Sequence, residues 1–232
     1  LYKRAEVIRG TVGSFEWGSG IIGGVVLLET NNASNVLNGK TGFTVSQTLS
    51  GQTNHAGFAT STTVAAMPTE NIEFLANYTW RTQGTQRDGR GDRIGNSAFD
   101  LPSFLVKGAY HFGADNAHTL EASFNQTSTS DRDVPYDAFS TTGGFFGNVD
   151  RDTKSQVLTV KYAYKPIDND MIDLSLLYSY ANQEIDQEAL GAPVSGVVDA
   201  DHRYETSKIT LKNASLFATG PIRHNVRFGL ET

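Results

Sequence analysis

The stretch MIDLSLLYSYANQEID, residues 171–186, decides the fold class. Apolar and polar side chains alternate along it with a period of two residues, which is the repeat of a β-strand that has one apolar face. Leu177 is the exception to this alternation. Ile172, Leu174, Leu176, Tyr178 and Tyr180 form the apolar face, and Asp173, Ser175 and Ser179 form the polar face. Because the stretch exceeds the usual strand length of soluble sheets, we predict an all-β fold with long strands.

The same alternation recurs along the chain. Further strands are predicted at 71–81, 103–112, 119–125, 157–165 and from Val226 onward. The stretch 205–219 alternates less cleanly, which a β-bulge near Asn213 would explain. Short connections alternate with long ones, the short ones at 68–70, 114–117, 166–170 and 220–223 and the long ones at 83–100, 131–152 and 187–203.

This arrangement of connections favours an outer-membrane β-barrel, which has short periplasmic turns and long outer loops. The predicted fold is therefore part of a transmembrane antiparallel β-barrel. A soluble β-sandwich stays open as the alternative, because periodicity alone does not tell whether an apolar face meets lipid or a second sheet.

Composition excludes several classes of function. The chain has 232 residues, a net charge of -6 and no cysteine. The acidic balance argues against a nucleic-acid partner, and the lack of cysteine excludes disulfides and thiolate metal sites. No G-x-S-x-G or H-E-x-x-H motif is present, so we predict no enzyme, no catalytic residue and no metal site. The chain begins at Leu1 without a signal peptide and is expected to be a fragment.

A glycine-rich stretch, WGSGIIGGVVLLET at 17–30, spells the G-x-G-x-x-G of dinucleotide-binding folds. That motif should open a helix and be followed by an acidic residue about 20 positions later. Here the glycines lead into Val25–Leu28, which reads as a strand, and after Glu29 the next acidic residue is Glu70. We therefore expect these glycines to bend the backbone and not to bind phosphate.

Together with EVIRG at 6–10, this stretch resembles the end of the plug domain of TonB-dependent outer-membrane receptors. Trp17, Thr11 and Leu27–Glu29 depart from the usual pattern of those receptors. The resemblance implies a plug end and linker at 1–38, and at 39–232 the first strands, about nine, of a barrel of about 22 strands. The residues that match the plug motif are Glu6, Arg9, Gly10, Gly18, Gly20, Gly23 and Gly24.

Three barrel segments, 87–112, 131–138 and 150–166, resemble the haem, haemoglobin, transferrin and lactoferrin branch of that family. The resemblance implies TonB-dependent uptake of haem, or of iron from a carrier protein, across the bacterial outer membrane. Haem would be a transported ligand and not a resident cofactor. The implied partners are the TonB complex, which contacts a segment outside this sequence, the haem or carrier protein, and outer-membrane lipid. A receptor for a ferric siderophore or another scarce nutrient is the alternative, and a soluble β-sandwich adhesin is the alternative from a different class.

Candidate ligand contacts lie in the long connections. An imidazole can ligate haem iron, although an ordinary exposed histidine is the simpler interpretation of each candidate. Apolar side chains on a solvated loop often anchor a partner. The candidate contacts are His55, His202, Phe139, Phe145 and Phe146.

Charged residues of the plug segment are expected to pair with charges on the barrel wall. The plug charges are Arg4, Glu6 and Arg9, and the wall charges are Glu73, Arg81, Lys107, Glu121 and Lys161.

Overall fold

The computed structural model describes residues 2–10, 23–136, 145–191 and 195–232. It begins with an antiparallel hairpin of β1 (Tyr2–Arg9) and β2 (Gly24–Thr30), followed by the four-residue helix α1 (Ala33–Val36). The rest of the described chain forms a nine-stranded antiparallel sheet in which every strand pairs with its neighbours in sequence. Its strands are β3 (Gly42–Gln52), β4 (Gly57–Thr69), β5 (Ile72–Gln83), β6 (Phe99–Phe112), β7 (His118–Pro135), β8 (Asn148–Tyr164), β9 (Leu174–Leu190), β10 (His202–Thr219) and β11 (Ile222–Glu231). A 3₁₀ turn (Ala114–Asn116) precedes β7, and a short helix α2 (Ser195–Val198) precedes β10.

The predicted all-β fold is confirmed, and the strands are longer than the sequence suggested. β7 and β10 each have 18 residues, and β8 and β9 each have 17. Residues 131–135 pair with 148–151, and 187–190 pair with 148–151 on the other side, so these segments are strands and not loops. The predicted long connections at 131–152 and 187–203 shorten accordingly to 136–147 and 191–201.

The predicted bulge near Asn213 is wrong. The register of β10 runs without a shift along both β9 and β11. Asn213 interrupts the apolar face for another reason: its side chain accepts a hydrogen bond from the Asp173 backbone (3.1 Å) and donates one to the Met171 carbonyl (3.1 Å). It thereby fixes the turn that enters β9. Register shifts occur elsewhere, between Ala66 and Thr69 and between Asp131 and Val134.

The sheet exposes its apolar face, whereas each sheet of a soluble β-sandwich buries its apolar face. On the face that we call the outer face, Phe74 and Val106 are 55% and 53% exposed. On the opposite, inner face, Leu75 and Leu105 are buried together with polar residues such as Asn77. A sandwich would bury its apolar face, whereas a barrel in lipid presents it outward and encloses a polar lumen.

The apolar band on the outer face is comparable in height to a membrane. On β5 it extends from Ile72 to Trp80, a distance of about 26 Å at about 3.3 Å per residue, against a lipid-facing band of about 25 Å in outer-membrane barrels. An aromatic row borders it at the end with the short turns, where His118 stacks on Phe112, Tyr162 and Tyr164. Within the described ranges, no helix is both long enough and apolar enough to cross a membrane.

The two ends of the sheet differ in the length of their connections. One end carries the turns 70–71, 113–117, 165–173 and 220–221, and the other carries 53–56, 84–98, 136–147 and 191–201. We call the first the periplasmic end and the second the outer end, following the asymmetry of outer-membrane barrels.

Candidate functional site

The inner face near the periplasmic end holds the linker helix α1. Ala33 is buried against Ala65, Met67, Leu75 and Leu105, and the partly buried Val36 and Leu37 pack on the same cluster. The first turn is closed locally by a hydrogen bond from the Asn32 backbone to the Asn35 side chain (2.9 Å). A helix of one turn does not form by itself in water, so this apolar contact with the wall stabilises it.

Two wall carboxylates bind the beginning of the same helix. Glu73 accepts a hydrogen bond from the Ser34 backbone N–H (2.8 Å), and Glu121 accepts one from the Asn32 side-chain amide (3.1 Å). The Ser34 N–H has no partner within the helix, since the first amides of any helix lack one. The polar contacts therefore fix the rotation and register of the linker on the wall.

Each of these two carboxylates has a second partner on the wall. Lys107 Nζ lies 3.1 Å from Glu121, and His111 Nε2 lies 2.9 Å from Glu73. Glu73 is 5% exposed and Lys107 is 8% exposed, so removing one partner would leave the other charge in a desolvated site. We call Glu73, Lys107, His111 and Glu121, with the linker residues Asn32 and Ser34, the linker anchor.

The predicted ion pairs between the plug segment and the wall are wrong for Glu6, Glu73 and Glu121. In the described chain Glu6 pairs with Arg4 of its own strand, and the two wall carboxylates bind the uncharged Asn32 and Ser34 instead. Pairing of opposite charges does not predict these contacts, because one donor is an amide side chain and the other is a backbone N–H. The sequence feature that could have indicated them is the polar stretch between β2 and β3.

The described glycines of the plug motif lie together at the end of the β1–β2 pair where the connection between the two strands begins. The Gly10 N–H donates to the Gly23 carbonyl (3.3 Å), and Arg9 lies opposite Gly24 in the ladder. Gly24 has a φ of 136°, and a Cβ there would lie 2.3 Å from the Ile8 carbonyl oxygen. Only glycine fits at this position. Gly18 and Gly20 fall outside the described residues.

The first outer turn, residues 53–56, is tied to the β5–β6 connection. The Asn54 side chain exchanges two hydrogen bonds with the Arg87 backbone, at 2.9 and 3.0 Å. His55 Nε2 accepts a hydrogen bond from Arg87 Nε (3.1 Å), so its lone pair is occupied in this conformation. Gln83, which is buried, donates to the Asn54 and Gly84 carbonyls at 2.8 and 3.1 Å.

Substitution of Gly57 with alanine is expected to loosen this turn. A Cβ at Gly57 would lie 2.1 Å from the Gln83 amide oxygen, so Gln83 must move and give up its bonds to the turn. We expect amide exchange at Gly84 and Arg87, whose N–H groups donate to this turn, to rise by about tenfold, which corresponds to the loss of about 1.4 kcal/mol of hydrogen bonding. Hydrogen exchange with mass spectrometry measures this. Gly51→Ala is the matched control, since its Cβ meets only an ordinary contact at 3.9 Å, and equal exchange in both variants would refute the role of Gln83.

The β5–β6 connection contains a closed turn built on Asp88. Its carboxylate accepts hydrogen bonds from the Arg90 and Asp92 backbone N–H groups, at 2.9 and 3.0 Å. These two N–H groups hold the pKa of Asp88 below its usual range. The charged loop is thus ordered by its own residues.

A second apolar cluster lies above the membrane band at the outer end. Val134, Val149 and Val198 are buried there and join α2 to the extended ends of β7 and β8. Beside them Phe146 packs on Tyr136, with ring centroids 5.3 Å apart, while Phe145 is 71% exposed. The exposed Phe145 therefore lies next to a ring pair, Phe146 and Tyr136, that borders this cluster.

The remaining candidate contacts are dispersed. His202 begins β10, is exposed and stacks on Tyr204, whereas His55 lies at the turn between β3 and β4, near the other edge of the sheet. Phe139 falls outside the described residues.

Near α2 a groove of about 650 Å³ is lined mainly by acidic residues, among them Asp186, Glu188 and Asp199. In the described ranges no group of histidine and carboxylate side chains has an arrangement that could hold a metal ion.

Comparison with known proteins identifies relatives and solved structures that are similar to this chain. No family model matches the chain. Over its whole length the chain is 24% identical to a hemin receptor of Yersinia pestis and 26% identical to a hemin receptor of Yersinia enterocolitica, of which it covers 33% and 32%. The solved FrpB iron transporter of Neisseria meningitidis superimposes with a TM-score of 0.74 at 18% identity, over 100% of this chain and 37% of that chain. The fold is that of part of a TonB-dependent outer-membrane receptor.

Other receptors of this architecture superimpose as well. The ferric-catecholate import receptor Fiu of E. coli K12 gives a TM-score of 0.65 at 16% identity, over 98% of this chain and 38% of that chain. The copper transporter OprC gives 0.63 at 16% identity, over 99% and 33%. The chain spans about a third of the length of the curated relatives that it matches. The predicted outer-membrane barrel is confirmed at the level of the fold, and the outward apolar band removes the basis for the soluble sandwich.

Proposed function

We propose that this chain is part of a receptor for TonB-dependent active uptake of haem, or of iron from a haem- or iron-carrier protein, across the bacterial outer membrane. One observation carries the proposal: the chain aligns over its whole length with two hemin receptors. In this proposal residues 1–38 are the plug end and linker, and residues 39–232 are the first strands of the barrel.

The described geometry supports a transport role. The wall presents polar and charged side chains inward and apolar ones outward, which suits a lumen that is filled by a plug and passed by a ligand. The linker anchor gives the chain a fixed point where it enters the wall. The N-terminal hairpin, in contrast, pairs its own charges, with Lys3 2.9 Å from Glu29. A pull transmitted from TonB through the plug would therefore be resisted at Asn32–Val36.

Uptake of a ferric siderophore is the second candidate. The fold likeness to the ferric-catecholate import receptor Fiu favours it, because a barrel of this kind serves more than one iron-containing ligand. The sequence identity to Fiu, 16% against 24% and 26% to the hemin receptors, places it behind haem.

Titration of the full-length receptor with haemin tests the proposal. We expect a saturable change in the Soret absorbance and TonB-dependent growth on haemin as the iron source. If the receptor gave no spectral change with haemin but supported growth on a ferric catecholate, the result would favour a ferric siderophore as the ligand. Failure to grow on haemin, on a haem- or iron-carrier protein and on a ferric catecholate, with the receptor present in the outer membrane, would contradict both.

A further inference from the structure

Arg81 lies on the inner face near the outer end of β5, where a ligand entering the lumen would arrive. It shares this face with Leu75 and Asn77, which are buried on the same strand. The carbon at the centre of its guanidinium lies 5.7 Å from the centroid of the Phe99 ring. The two residues are diagonal neighbours across the β5–β6 ladder, since Arg81 pairs with Leu101 and Gln83 pairs with Phe99.

Arg81 differs in its surroundings from Lys107 and Lys208, two other cations of the inner face. Lys107 lies 3.1 Å from Glu121, and Lys208 lies 2.6 Å from Glu231. The ladder neighbours of Arg81 are Ala59 and Leu101, and none of the described carboxylates lies within ion-pair distance of it. Its charge therefore faces the aromatic ring and solvent, an arrangement that leaves the planar N–H donors of the guanidinium available.

A small hollow of about 80 Å³ lies beside this pair. Its lining includes Ser50, Gln52, Gly57, Arg81, Gln83 and Phe99. Gly57 leaves the space open, since a Cβ there would collide with Gln83, and the Gln83 amide N–H groups are already used by the outer turn. The hollow thus combines one cation with hydroxyl, amide and aromatic side chains, and its lining contains no carboxylate. Its volume corresponds to two or three water molecules, at about 30 Å³ each, which admits a carboxylate.

We propose that Arg81 and Phe99 form a binding site for a carboxylate attached to a planar aromatic ligand at the mouth of the lumen. Arginine binds carboxylates through two parallel hydrogen bonds, and the Phe99 ring orients the guanidinium and offers a flat surface to the ligand. This proposal rests on the proposed function, for which the carboxylate is a haem propionate.

The test compares haemin with its dimethyl ester, in which both propionates are capped, on the full-length receptor. We expect Arg81→Gln to weaken haemin binding by about tenfold or more and to leave binding of the ester unchanged. Arg81→Lys should restore part of the affinity, because it keeps the charge but not the paired donors. The control is Arg132→Gln, since Arg132 is already bound to Asp152 (3.0 Å), and it should change neither ligand.

Two results would refute the proposed site. The first is that wild type and Arg81→Gln bind haemin with equal affinity. The second is that Arg81→Gln loses affinity for haemin and for the ester to the same extent. Failure of the wild-type receptor to bind haemin at all would instead refute haem as the ligand in the proposed function, and the site proposal with it.

Discussion

Replacement of Glu73 with alanine is expected to release the linker helix from the barrel wall. The carboxylate accepts the Ser34 N–H at 2.8 Å and contacts His111 at 2.9 Å, and it is almost fully buried. Its removal leaves both partners without an acceptor in a desolvated site. Because a hydrogen bond to a charged group contributes about 1.5–3 kcal/mol, we expect amide protection across Ser34–Leu37 to fall by one to two orders of magnitude.

Hydrogen exchange of the full-length receptor in detergent measures this effect. Glu70→Ala is the matched control, because Glu70 is exposed in the turn just before the same strand. Glu73→Gln should fall between wild type and alanine, since the amide keeps an oxygen that can accept from Ser34. Unchanged protection at Ser34 in Glu73→Ala would show that the apolar contacts of Ala33 hold the linker without the carboxylate.

The linker anchor contains contacts of a kind that cannot be predicted from the sequence. Glu73 and Glu121 were recognisable as inner-wall carboxylates, because the alternation in β5 and β7 sets their face. Their partners were not recognisable. A backbone N–H such as that of Ser34 has no residue signature, and the bond from Asn32 to Glu121 joins residues between which the four strands β3 to β6 lie. Charge pairing was a reasonable expectation but favoured Arg4 and Glu6, which satisfy each other locally.

The faces of the sheet, in contrast, followed from the sequence. In β6 the exposed Val106 and Tyr110 alternate with Lys107 and His111, which contact inner-wall carboxylates. The period of a strand is two residues whatever its neighbours are, so one apolar row determines both faces. Which of the two faces meets lipid could be assigned only from the structure, because the assignment depends on which face other parts of the chain cover.

Strand ends were the least predictable feature of the sheet. Residues 131–135 and 148–152 are polar and were assigned to a loop, yet most of them continue the β7–β8 ladder. Beyond the membrane band neither face of a strand meets lipid, so the alternation disappears while the backbone hydrogen bonds persist. Polar composition therefore marks the edge of the lipid band in this protein and not the end of the strand.

Substitution of Val160 with arginine is the sharpest test of the lipid-facing assignment. Val160 is 37% exposed in the middle of the apolar row of β8, which consists of Leu158, Val160, Tyr162 and Tyr164. An arginine facing lipid near the bilayer midplane costs about 2–4 kcal/mol in outer-membrane barrels. We expect a lower urea midpoint for the full-length receptor refolded in phospholipid vesicles, and less receptor in the outer membrane of cells.

The adjacent residue provides the control. Thr159 faces the lumen, where its hydroxyl lies 2.7 Å from that of Ser123. Thr159→Arg therefore loses one neutral hydrogen bond, which contributes about 1 kcal/mol, but keeps its charge in a polar lumen. The lipid-facing assignment requires the Val160 variant to be the less stable of the two. If Thr159→Arg were the more damaging change, the two faces would be reversed, and the apolar row would be packed against protein instead of lipid.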